Sequence, residues 1–97
     1  MRYLLFSGVP KGWQFYSCAK KCPRGMKPGS KLQLKIEPLN PKDRQAVEIF
    51  WGSNKIGYLP ARSEAIWRLL CVNAPLTATI TEISADIPRI EIFLLIL

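Results

Sequence analysis

The chain contains no histidine, which removes the Ser-His-Asp and Cys-His constellations and every zinc site that uses an imidazole ligand. Cysteine is scarce. Cys18, Cys22 and Cys71 are one short of a tetrahedral thiolate site and odd in number for a disulfide framework, and Cys18 and Cys22 stand four apart, outside the C-x-x-C arrangement. All three read as free thiols, and the sequence indicates no metal and no cofactor. Long apolar runs are missing too. Tyr3-Leu4-Leu5-Phe6 is cut off by Ser7-Gly8, short of the roughly 7 to 15 apolar residues of a signal peptide. Ile92 to Leu97 falls far below the ~18 residues that would span a bilayer. These absences point to a soluble, cytoplasmic protein with no membrane partner.

Acidic residues are also few, 7 against 14 Lys and Arg, and the excess is one-sided. Residues 1–44 carry ten Lys/Arg and two acids (Glu37, Asp43), a net of +8; residues 45–97 carry four and five, a net of −1. A charge confined to one half is the footprint expected of a nucleic-acid face, with a solvated Lys-rich surface as the plain alternative. The length of 97 residues and 48% apolar content describe a single folded domain, 1–97.

Strand signals dominate. Lys31 to Glu37 alternates strictly, with Leu32, Leu34 and Ile36 on one face and Lys31, Gln33, Lys35 and Glu37 on the other. Ala46 to Trp51 and Lys55 to Leu59 read as a hairpin turning at Gly52-Ser53-Asn54. From Ser63 the period changes: Ile66, Leu69 and Leu70 fall at helical spacing, and Asn73 before Pro75 is placed to end a helix of about three turns. Leu76 to Ile83 and Arg89 to Ile96 return to strand patterning, and Arg2 to Phe6 and Trp13 to Ser17 look extended. Residues 19–30 form a Lys/Gly/Pro-rich loop with room for one short helical turn. Short strands with one main α-helix predict a mostly β fold, a small β-barrel of the OB or SH3-like kind, closed so that no edge is left open. Trp51, Trp67, Ile49, Phe50, Ile56 and Leu69 are assigned to its core and Trp13 either to core or to the site. Tyr58 is expected to pack its ring and spend its hydroxyl on backbone.

The most informative segment runs from Glu37 through Asn40-Pro41-Lys42-Asp43-Arg44 to Ile49, followed after a turn by Ile56-Gly57-Tyr58-Leu59-Pro60. Asn40-Pro41-x-Asp43 is turn chemistry in its own right, because an Asx side chain hydrogen-bonds backbone two residues on while proline fixes φ. The order and spacing of the set resemble the HIRAN domain, whose pattern is a strand ending in R-E-P, then N-P-x-D-x-x-A, a hairpin, G-[YH]-[LIV]-P and a helix. Gly12-Trp13-Gln14-Phe15-Tyr16 is similar to its G-x-x-Y-Y element and Arg89 to Ile92 to its closing strand.

This resemblance implies an OB-like barrel that binds single-stranded DNA without catalysis, with capture of a free 3′ end, at stalled forks or damaged DNA, as in helicase-attached members. It places the DNA-binding residues at Gln14, Phe15, Tyr16, Asn40, Lys42, Asp43 and Arg44. Phe15 keeps a face for base stacking but lacks the hydroxyl of the family's tyrosine. Gln14 stands where an arginine is usual in those members, and Lys42 where an aromatic is. Lys42 and Arg44 are suited to a terminal phosphate, which shifts the site from a stacked base toward charge. Asp43 repels phosphate, so its place in a basic site is explained by accepting a hydrogen bond from a sugar hydroxyl; a 3′-phosphate is then rejected. The alternative is a protein-interaction adaptor docking on a helicase or nuclease through the apolar strand Ile90 to Leu97 as an open edge. A third reading is a nuclease in which Asp43 and Glu37 bind a metal, but two carboxylates beside Pro-restricted turns are thin evidence for it, and no catalytic residues are assigned.

Overall fold

The computed structural model describes residues 1–13, 25–60, 63–85 and 87–96. Among these residues six strands and one helix follow in the order β1 (Arg2–Gly8), β2 (Lys31–Ile36), β3 (Val47–Trp51), β4 (Asn54–Tyr58), α1 (Glu64–Cys71), β5 (Leu76–Ser84) and β6 (Ile87–Leu95). The pairing is antiparallel throughout, in the spatial order β1-β6-β5-β2-β3-β4. This is the mostly β, one-helix class that the alternation indicates. Among the described residues no helix is long and apolar enough to cross a membrane.

β2 joins two halves of the sheet. Its first residues, Lys31 and Leu32, pair with Thr79 and Ala78 of β5, whereas Gln33 to Ile36 pair with Phe50 to Val47 of β3. The strand thus leaves one partner as it takes up the other, and the sheet folds over between them. Leu32 is buried, Leu34 half-buried and Ile36 exposed at 37%, so the apolar face of β2 peels off the core as it nears the following loop. The core lies between the folded halves: Val47, Ile49, Ile56, Ile80, Ile90 and Ile92 are almost fully buried, with Trp13 and Ile66 of α1 packed among them. Trp13 is therefore core. Trp51 and Trp67 pack against that core half-buried, and Phe50 points away from it, across the ladder from Gln33.

Among the described residues the hydrogen-bonded ladder stays open, with β1 and β4 at its ends. What approaches closure is the chain just after β1, where Lys11 N donates to Tyr58 O (2.7 Å) and Tyr58 N donates to Lys11 O (3.0 Å). Pro10, with no N–H to give, interrupts pairing before this bridge. Gly57 makes room for it: φ is +149°, and a Cβ there would sit 2.7 Å from Lys11 O and 2.8 Å from Pro10 Cβ. The adaptor reading took Ile90 to Leu97 as a free edge, but β6 lies between β1 and β5 and is paired on both sides.

The helix is shorter than its spacing suggested, 8 residues or just over two turns, because residues 72–75 form its exit. Asn73, at φ 55°, donates to Leu70 O (3.1 Å) and Ala74 to Leu69 O (2.9 Å). These are the paired bonds of a Schellman motif with asparagine in the left-handed position.

Candidate nucleic-acid interface

The loop between β2 and β3 is built by local hydrogen bonds. Glu37 N donates to Ala46 O (3.0 Å) across its neck and Ala46 N to Asp43 O (3.1 Å). Asn40 Oδ1 accepts from the backbone N–H groups of both Lys42 (2.9 Å) and Asp43 (3.1 Å), and Asp43 Oδ1 accepts from Gln45 N (2.9 Å). The turn chemistry of Asn40-Pro41-Lys42-Asp43 is thus present in full. It also fixes what remains to meet a ligand. Both lone pairs of Asn40 Oδ1 are used, whereas Asp43 Oδ2 has no hydrogen-bond partner among the described residues.

Asn40 is held from the other side as well. Its Nδ2 donates to Glu37 Oε1 (3.1 Å), and Glu37 Oε2 accepts from the Tyr58 hydroxyl (2.9 Å) and lies 3.7 Å from Lys55 Nζ. Lys55 also donates to Tyr58 Oη (2.5 Å) and pairs with Glu48 (3.1 Å). The hydroxyl of Tyr58 therefore serves a carboxylate and an ammonium, where backbone was expected. Its hydrogen bond is the leading reason that the Glu37 carboxyl sits below its ordinary value of 4.5, with Lys55 and Asn40 adding to the effect and partial burial opposing it. With both oxygens engaged, Glu37 is a strut of the loop.

Three stretches of chain meet around an open pocket of about 380 Å³: Lys11-Gly12 after β1, Asn40, Lys42 and Asp43 of the loop with Ala46 behind them, and Tyr58-Leu59 at the end of β4. Two lysines and one aspartate thus line the same concavity. Neither Lys11 nor Lys42 has an ion-pair partner among the described residues. Of the residues expected from sequence, Asn40, Lys42 and Asp43 are brought together here. Arg44 is exposed next in the loop and does not line the pocket. Gln14, Phe15 and Tyr16 lie outside the described residues, as do Cys18 and Cys22; Cys71 is a free, exposed thiol.

Sequence reasoning missed Lys11. It is 47 positions from its bridge partner Tyr58, and no local pattern marks it. The one usable signal was Gly57, a glycine inside a strand, which often marks close approach of another backbone.

No curated protein is significantly similar to the chain in sequence. Among solved structures it is similar to the HIRAN domain of human HLTF (TM-score 0.70, 18% identity, covering 95% of this chain and 78% of that one). It is similar also to a protein from Lactobacillus plantarum (TM-score 0.79, 14% identity, covering 97% of this chain and 95% of that one). The sequence pattern of the HIRAN domain matches residues 4–95, and the chain belongs to that family.

Proposed function

We propose that this chain is a non-catalytic module that binds single-stranded DNA and takes a 3′-hydroxyl end into the pocket between Lys11, the 40–43 turn and Tyr58. HIRAN domains are DNA-binding modules, and the observation that supports the finer reading is a pocket lined by Asp43, whose Oδ2 has no partner among the described residues, and by Lys11 and Lys42, which have no ion-pair partner among them. The lysines draw in phosphate, while Asp43 Oδ2 selects a terminus able to donate, which a 3′-hydroxyl can and a 3′-phosphate dianion cannot. Lys42 takes the place of an aromatic, so charge outweighs stacking on this wall of the site. Arg44 meets the strand at the pocket mouth, and Gln14, Phe15 and Tyr16 remain the proposed contacts for the terminal base.

The test is a fluorescence anisotropy titration with oligothymidine carrying a 3′-hydroxyl, the same strand with a 3′-phosphate, and a blunt duplex. The hydroxyl end is expected to bind about tenfold or more tightly than the phosphate end, in keeping with about 1.5 to 3 kcal/mol for a hydrogen bond to a charged group. Asp43→Ala should abolish that preference. Equal affinities of the unaltered protein for all three ligands would sink end recognition.

A further inference from the structure

The outer face of the sheet carries cations that the pocket does not use. Cross-strand pairing puts Gln33 and Lys35 of β2, Phe50 of β3 and, beyond Lys31, Thr79 of β5 on one face. Thr77 stands opposite Phe93, and Phe93 opposite Leu4, so Arg2 of β1 belongs to this face too. Where β2 parts from β5 a cleft of about 420 Å³ opens, with Arg2, Lys31, Gln33, Thr77 and Thr79 at its mouth. Arg2 lies 4.1 Å from the Phe93 ring centroid and Lys35 4.8 Å from that of Phe50. Arg2, Lys31 and Lys35 are all exposed, and none has an ion-pair partner among the described residues.

Acidic groups on this surface are either neutralised or set aside. Lys55 bridges Glu37 and Glu48, so the β3–β4 end presents little free negative charge. Glu91, opposite Thr79 and Ser7, is half-buried. β2 runs directly from the cleft into the loop that forms the pocket, and Lys31 and Lys35 stand about 13 Å apart along it at roughly 3.3 Å per residue. Cations resting on half-buried rings beside hydroxyl and amide groups suit a strand whose phosphates are drawn by charge and whose bases find a π-face.

We infer that the outer face of β2, from Arg2 and Lys31 to Lys35 and Phe50, is a second track for single-stranded nucleic acid, receiving the part of the strand that lies beyond the pocket. This rests on the pocket reading above and extends it from an end site to a longer footprint. Charge complementarity selects the occupant. An acidic protein segment is the competing one.

The experiment compares oligothymidines of about four and about sixteen nucleotides, the span of site sizes for OB folds, across a salt series. The long strand should bind more tightly and with a steeper salt dependence. Arg2→Gln/Lys31→Gln/Lys35→Gln should lower the slope of log affinity against log salt by about 2 for the long strand, three phosphates at about 0.7 each, and leave the short strand unchanged. Lys31→Arg/Lys35→Arg should keep the original slope; a loss there too would mean that the face acts through its fold, and would overturn the track. Displacement of the long strand by a polyglutamate peptide as effectively as by unlabelled oligothymidine would reassign the face to a protein and also overturn it. If neither oligonucleotide binds the unaltered protein, the pocket reading fails with it, whereas equal affinity and slope for both lengths defeat the track alone.

Discussion

Asn40 illustrates how a motif residue can shape a turn with every polar atom of its side chain. Its carboxamide accepts from two backbone groups and donates to Glu37, so it sets the shape from which Lys42 and Asp43 reach out. Gly57 plays the corresponding part on β4. A methyl group there would collide with Lys11 O, a backbone atom with little freedom to move, in a backbone conformation that L side chains rarely adopt. Gly57→Ala is expected to cost about 2 to 3 kcal/mol, measured as a fall in urea midpoint, and to weaken DNA binding by displacing Lys11 from the pocket. Unchanged stability would show that the bridge shifts freely. At this scale the turn was legible, since its bonds span two or three residues. The Tyr58 hydroxyl was not, because Glu37 is 21 positions away and a tyrosine's partner leaves no mark in its own neighbourhood.

Among the elements, β2 and α1 show what periodicity conveys and where it stops. Alternation located β2 and its polar face, but the exchange of partners after Leu32 is a property of β3 and β5 together, so it could not be read from β2 alone. The same holds for the expectation of a closed barrel, which strand count supported and Pro10 with the Lys11 bridge modified. The apolar pattern of Ile90 to Leu97 described a buried strand equally well as an edge, and pairing on both sides decided between them. For α1 the spacing gave the element and Asn73 its end, though the left-handed exit took residues that had been counted as helix. Asn73→Val should destabilise the protein by about 1 to 2 kcal/mol, the usual cost of a left-handed conformation for such a side chain, whereas Asn73→Gly should change little. Thermal melts of the two variants separate backbone strain from loss of the asparagine itself.

For the molecule as a whole, charge is the organising quantity. Among the described residues the ion pairs use only Lys55 and Arg68 of the cations, so the other Lys and Arg among them, all exposed, are left to face solvent or a polyanion. The cluster around Glu37 gives this surface a pH dependence with a definite sign. Because its carboxyl is held below 4.5 in the folded protein, its contribution is fully present above that value and is lost as pH falls through the lower, folded pKa. The stability gap between the unaltered protein and Glu37→Gln should therefore shrink on acidification below about pH 4.5, as followed by urea melts over a pH series. A gap that stays constant would show that the carboxylate is not engaged in solution.

The bridge between Lys11 and Tyr58 has one further consequence, for the order in which the protein becomes competent. The 40–43 turn can form from its own residues, but the wall that Lys11 supplies exists only once the first strand has been carried round to the last hairpin strand. An excised loop peptide would have no cavity. Ring closure and ligand affinity are thermodynamically linked, since anything held jointly by Lys11 and Lys42 favours the closed ring by its own binding free energy. The strand end would then act as a staple across the Lys11–Tyr58 seam.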